Sequence, residues 1–175
     1  MIGELAHQSA LVPLAVALVF WRRLPRAWRF LAVAWTLSWV GDSMAYSVGD
    51  PWRPSYLWLP AQIAIVLVAF LSDRMARFVA VAGVALLAVT SVQATWPGPE
   101  WITTLAGSLA ILAVVDGVLS WPVIIYFGLG SLAYLLWLTG ADEMFYVYQV
   151  CRVVAYALYV GILLHKRREM LTWPS

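Results

Sequence analysis

Apolar residues in this chain neither alternate with polar ones nor keep to a narrow helical stripe; they come in long runs. Stretches bounded by Pro, Gly or charge number seven, at approximately 6–21, 27–48, 55–72, 74–94, 101–119, 121–139 and 143–165. A bilayer-spanning helix needs about 20 mostly apolar residues, so each run predicts a transmembrane helix. The connections are short and carry turn chemistry: Leu24-Pro25-Arg26, Gly49-Asp50-Pro51-Trp52-Arg53-Pro54, Trp96-Pro97-Gly98-Pro99, Ser120-Trp121-Pro122 and Thr139-Gly140-Ala141-Asp142. No linker fits between them. The expectation is an all-α, polytopic membrane protein: residues 1–175 form a single domain, a compact bundle of seven transmembrane helices.

Charge orients the bundle. With the N-terminus outside, the cytoplasmic side collects Arg22, Arg23, Arg26, Arg29, Arg74, Arg77, Lys166, Arg167 and Arg168, while Glu4, Asp50, Glu100, Asp142 and Glu143 fall outside. Cytoplasmic loops of membrane proteins are enriched in Lys and Arg, so an outside N-terminus and a cytoplasmic C-terminus are expected. The first run holds Pro13, with Glu4 before it and Arg22-Arg23 after it. A signal peptide would show the reverse charge order, so this run reads as an anchor helix. Trp21, Trp28, Trp52, Trp58, Trp96, Trp101, Trp121 and Trp137 cluster near run ends, as an aromatic interfacial belt would.

Composition agrees. The 175 residues are 63% hydrophobic and 11% charged, with a mean hydropathy of +0.83; soluble domains are about 25% charged. A water-soluble globule of this size could not hide so much apolar surface, so an integral membrane location is expected. The net charge of +2 comes with basic residues that mark topology, which argues against a nucleic-acid partner. One cysteine, Cys151, excludes an internal disulfide and any Cys-cluster metal site. No internal repeat emerges: Asp42 and Gln62 have no counterparts in the last three runs.

Ionisable groups inside apolar runs are costly and tend to be functional. Three stand out: Asp42, Asp116 and Arg152. At about 1.5 Å of rise per residue, Asp42 lies about 21 Å above the cytoplasmic start of its helix, and Arg152 about 13 Å below the outer start of its own. Across a core about 30 Å thick, the two differ in level by about 5 Å or less. Gln62, Ser108, Tyr134 and Gln149 fall in the same layer. On the second run Trp35, Ser38, Trp39, Asp42 and Tyr46 share one helical face; on the last, Gln149, Arg152, Tyr156 and Tyr159 share another. These twelve residues define an outward-facing polar and aromatic pocket for the polar end of a small amphiphile or lipid. Arg152 offers a planar fork for a carboxylate or phosphate, and the aromatic residues offer flat walls. The alternative is an Asp42–Arg152 ion pair that only fixes helix packing. Asp116 lies about 8 Å above the cytoplasmic face by the same rise, where solvation or a basic loop would satisfy it.

Residue inventory removes several chemistries. The only lysine, Lys166, sits at the cytoplasmic end of the last run, so it cannot form a retinal Schiff base within that helix. His7 and His165 lie on opposite sides, which argues against zinc or haem ligation. By the same reading, no histidine stands at the depth a Ser–His nucleophile pair requires. No metal or cofactor is expected. Carboxylate acid–base chemistry by Asp42 or Asp116 remains.

Three patterns carry a resemblance. Ser38-Trp39-Val40-Gly41-Asp42 resembles the Gly-Asp helix motif of the lysoplasmalogenase-like family of bacterial membrane proteins. Leu112-Ala113-Val114-Val115-Asp116-Gly117-Val118-Leu119 resembles its later Ser-Asp motif, with Val115 in place of Ser. Tyr146-Val147-Tyr148-Gln149 resembles its closing Tyr-Tyr-x-x-Gln pattern. The family commonly has eight spans and a His-containing helix motif; this chain has seven runs and lacks that motif. The resemblance implies cleavage of the vinyl-ether bond of lysoplasmalogens, with Asp42 or Asp116 as proton donor. Three classes of function therefore stay open: an amphiphile-binding or transport protein, a lipid hydrolase, and an accessory subunit of an oligomer or larger membrane complex.

Overall fold

The computed structural model describes the backbone over residues 2–48, 52–92, 98–115 and 117–166, and the side chains over 4–44, 59–85, 102–115 and 117–166. Among these residues the chain is helical, with no strand. Helix α1 (Ile2–Ser9) and α2 (Val12–Phe20) are one apolar segment broken at Ala10–Leu11. Pro13 explains the break: it lacks an N–H, and its ring clashes with the carbonyl four residues earlier. The Ala10 and Leu11 amides turn back to the carbonyls of His7 and Gln8 at 3.3 Å each.

A short 3-10 turn (Trp21–Arg23) and an extended Leu24 lead into Pro25 and helix α3 (Arg26–Val48). Leu24 is extended because a residue before proline is pushed out of the helical region. Helices α4 (Trp52–Phe70) and α5 (Arg74–Val92) follow. Between them Asp73 caps α5, accepting the Ala76 amide at 2.8 Å, while Arg77 donates to the Leu71 and Ser72 carbonyls at 2.6 Å each.

Helix α6 (Gly98–Val114) is followed by a short 3-10 turn (Gly117–Leu119) that opens at Gly117, whose φ of +67° suits glycine. The turn expected at Ser120-Trp121-Pro122 is not there. Instead α7 (Ser120–Val123), a π-helical stretch (Ile124–Gly130) and α8 (Ser131–Leu138) run on from Gly117 as one apolar segment. Pro122 is tolerated because it falls in the first turn of α7, where an amide has no intrahelical acceptor. A Schellman turn closes α8: Gly140, at φ +98°, donates to Trp137 and Ala141 to Leu136. Helix α9 (Glu143–His165) completes the described chain.

Three described segments are long and apolar enough to cross a membrane: Glu4–Arg23, Gly117–Leu138 and Glu143–His165. Helix α3 lies along α4, which also contacts α5 and α6; α9 packs against α1, α2, the π stretch and α8. Large side chains join α3 to α9. Trp35 packs its indole among Tyr126, Tyr156 and Tyr159, with centroids 5.1–5.7 Å apart, and Tyr159 donates to the Trp28 carbonyl at 2.8 Å. Trp28 is therefore a buried packing residue, not part of an interfacial belt, whereas Trp121 is 67% exposed. The interior is mainly apolar, but large apolar side chains also cover the outside. Val19 (75%) and Phe78 (70%) face outward while Arg152 (2%), Gln62, Gln149 and Ser38 are buried.

Candidate functional site

Arg152 stands at the centre of the site, and α9 presents its neighbours at helical spacing. Gln149, one turn before it, accepts from one guanidinium nitrogen at 3.4 Å, and Tyr156, one turn after it, accepts from Nε at 3.4 Å. The Tyr148 ring lies 5.5 Å from the guanidinium carbon. Across the interface Asp42 of α3 accepts from Arg152 at 2.7 Å. The two charges that depth arithmetic puts at one level thus meet. Such a contact is charge-assisted and short, and breaking it from one side would strand a buried cation.

The carboxylate is shared. His7 of α1 brings Nδ1 to 3.6 Å from the same Asp42 oxygen, stacks on Trp39 at 5.7 Å, and places Nε2 3.3 Å from the Ser43 hydroxyl. Sequence reasoning missed this residue and excluded a Ser–His contact; the structure corrects that exclusion. Rise per residue gives no hint of it: His7 stands one residue into the run at 6–21, about 1.5 Å deep, well outside the level expected for Asp42. The Asp42 side chain remains 22% exposed and His7 12%, against 2% for Arg152, so the carboxylate is the most accessible member of the cluster.

A neutral network continues inward. Gln62 donates to the Tyr126 hydroxyl at 3.2 Å, and that hydroxyl lies 2.6 Å from Ser38. The Tyr126 oxygen accepts from Gln62, and either hydroxyl can donate in the Ser38–Tyr126 contact. The π stretch matters here, because it carries Tyr126 and Phe127 inward; such irregularities often accompany functional sites. A Cβ at Gly130 would meet the Ile125 carbonyl of the same segment at 3.3 Å, while Cys151 of α9, at 3.5 Å, would be in ordinary contact. Ser108 donates to Ser131 at 2.7 Å, and Tyr134 packs on Tyr148 at 5.2 Å. Between Gln62, Thr104, Ser108, Ser131 and Tyr134 lies a cavity of about 30 Å³, and the buried Thr104 hydroxyl beside it has no hydrogen-bond partner. That volume suits one water.

Ten of the expected site residues are thereby placed in one connected layer: Trp35, Ser38, Asp42, Gln62, Ser108, Tyr134, Gln149, Arg152, Tyr156 and, through Trp35, Tyr159. Trp35, Tyr156 and Tyr159 fill the space between α3 and α9 with one another's rings. Trp39 instead faces His7. The backbone of Tyr46 belongs to α3 but its side chain lies outside the described residues, as does Asp116 altogether.

Among the described residues no group of three or more His, Cys, Asp or Glu could hold a metal ion. What the cluster offers is a buried guanidinium, a shared carboxylate, an imidazole able to carry or release a proton, and a hydroxyl. No protein-family model, curated protein or solved structure matches the chain.

Proposed function

We propose that this is a seven-span protein of the bacterial inner membrane, N-terminus outside and C-terminus cytoplasmic. Its His7–Asp42–Arg152 cluster receives the polar end of a small amphiphile or membrane lipid. The many exposed large apolar side chains support a lipid solvent. The topology draws support from Arg26 and Arg77, which act on each other electrostatically and so bring two basic connections to one end.

The observation that carries the site reading is the shared carboxylate. Arg152 is buried and fully engaged, yet Asp42 is partly exposed and has a second possible cation in His7. His7 offers Asp42 a second partner, so one edge of the Arg152 fork can turn to an incoming carboxylate or phosphate. The neighbouring cavity admits no more than a water, so the amphiphile's body lies along the lipid-facing edges of α1 and α3, and only its polar end enters. Native mass spectrometry of the purified protein tests this. A discrete bound amphiphile, lost in a folded Arg152→Gln variant, is the expected result. Unchanged occupancy in that variant assigns the ion pair to helix packing alone.

The contact of His7 with Asp42 and Ser43 favours a second reading, hydrolysis of the lysoplasmalogenase type. An imidazole beside a carboxylate can deliver a proton to a vinyl ether. Turnover of added lysoplasmalogen, abolished by His7→Phe, would establish it.

A further inference from the structure

The far end of α3 holds a second site that the outer cluster does not use. A cavity of about 300 Å³ opens there, lined by Trp21, Arg26, Arg29, Phe30, Val33 and Ile65. Its volume matches the lower end of small-ligand pockets. Two cations border it without carboxylates. Arg29 lies over the Trp21 ring at 6.0 Å, Arg26 lies over the Phe30 ring at 5.2 Å, and neither forms an ion pair among the described residues. Arg29 Nε is buried with no hydrogen-bond partner, a donor that ordinarily does not go unused. Arg26 also faces the like charge of Arg77, so the positive potential is reinforced. Both arginines belong to the first turn of α3, where the helix dipole favours an anion.

Each feature selects the same chemistry. Guanidinium forks match the oxygens of a phosphate, and a helix start adds to them. Phe30, Val33 and Ile65 give a dry wall that a bare ion would not need, while Trp21 and Phe30 hold the cations in place by their ring faces. We infer that this cavity binds the phosphate group of an anionic amphiphile, Arg26 and Arg29 gripping the phosphate and the apolar wall taking the first part of the tail. The inference stands apart from the outer site, because the two share no residue.

The test is native mass spectrometry of the full-length protein in neutral detergent, titrated separately with phosphatidic acid, inorganic phosphate and diacylglycerol. Phosphatidic acid should bind and diacylglycerol should not. Arg26→Gln and Arg29→Gln should each weaken binding about tenfold, as expected when a charge-assisted hydrogen bond is lost. The exposed pair Arg22→Gln/Arg23→Gln removes equal charge outside the cavity and should leave binding nearly unchanged. Val33→Trp, which fills the cavity without altering charge, should abolish binding. Competition by inorganic phosphate at matching concentration would identify a free phosphate as the occupant; its failure to compete identifies the lipid headgroup. Equal binding of diacylglycerol, or equal losses from the Arg22/Arg23 and Arg26/Arg29 pairs, overturns the proposal. Neither result touches the outer site, whose variants are different.

Discussion

The two levels of α3 treat arginine in opposite ways. Near its C-terminal end, Asp42 meets Arg152, and that guanidinium is dry, with contacts to Asp42, Gln149 and Tyr156. At its start, Arg26 and Arg29 rest against aromatic rings beside an open cavity, with no carboxylate among the described residues. The difference follows from solvation. A cation taken wholly out of water must be paired and hydrogen-bonded, whereas one at a cavity mouth keeps enough solvent to stand alone. The first arrangement admits an anion only by exchange for Asp42; the second has no carboxylate among the described residues to displace.

The sharpest way to break the comparison is to strand the buried cation. Asp42→Leu leaves Arg152 without its counter-charge and should cost about 3–5 kcal/mol, read as a fall in thermal stability in detergent. Asp42→Leu combined with Arg152→Met should recover most of that loss, and a double mutant as unstable as the sum of the singles would show the residues to be uncoupled. A smaller effect belongs to the neutral network. Tyr126→Phe leaves Gln62 and Ser38 without their shared hydroxyl and should cost about 1–3 kcal/mol by the same assay.

Packing without charge gives a comparable scale. A Cβ at Gly107 would run into the Ile63 side chain of α4. Gly107→Val should therefore destabilise by about 1–3 kcal/mol through overpacking, and Ile63→Ala in the same chain should relieve part of it. At the bottom of the series stands Arg29→Gln, which removes a cation that no carboxylate depends on. Its stability should stay within about 0.5 kcal/mol of the parent, although its phosphate binding falls. A large destabilisation would mean that Arg29 has a structural partner after all.

Much of this architecture is legible in the amino-acid order. Run length and turn chemistry predict helices whose limits fall within a few residues of α3, α4, α5 and α9, because Pro25, Asp73 and Gly140 punctuate the chain by local rules. Rise per residue alone brings Asp42 level with Arg152. Three things escape it. The reversal before Gly117 depends on one left-handed glycine, while the more conspicuous Pro122 is harmless in a first helical turn. The inward path of Tyr126 depends on a π stretch that apolar periodicity does not encode. The approach of His7 to Asp42 depends on how α1 packs against α3 and α9, which rise per residue does not encode, because His7 stands at the very start of its run. The basic cavity was hidden for a different reason: Arg26 and Arg29 look like ordinary topological markers until Trp21 and Ile65 are seen beside them.

The central claim is that the His7–Asp42–Arg152 cluster receives the polar end of an amphiphile. Photo-crosslinking tests it most directly, using a lysolipid with a diazirine beside its phosphate and peptide mapping of the adducts. The account predicts adducts within residues 4–11 and 38–44, reduced by Arg152→Gln, together with a separate set near Trp21 to Val33 that only Arg26 and Arg29 variants remove. Adducts confined to the second set, or a first set indifferent to Arg152→Gln, would contradict it.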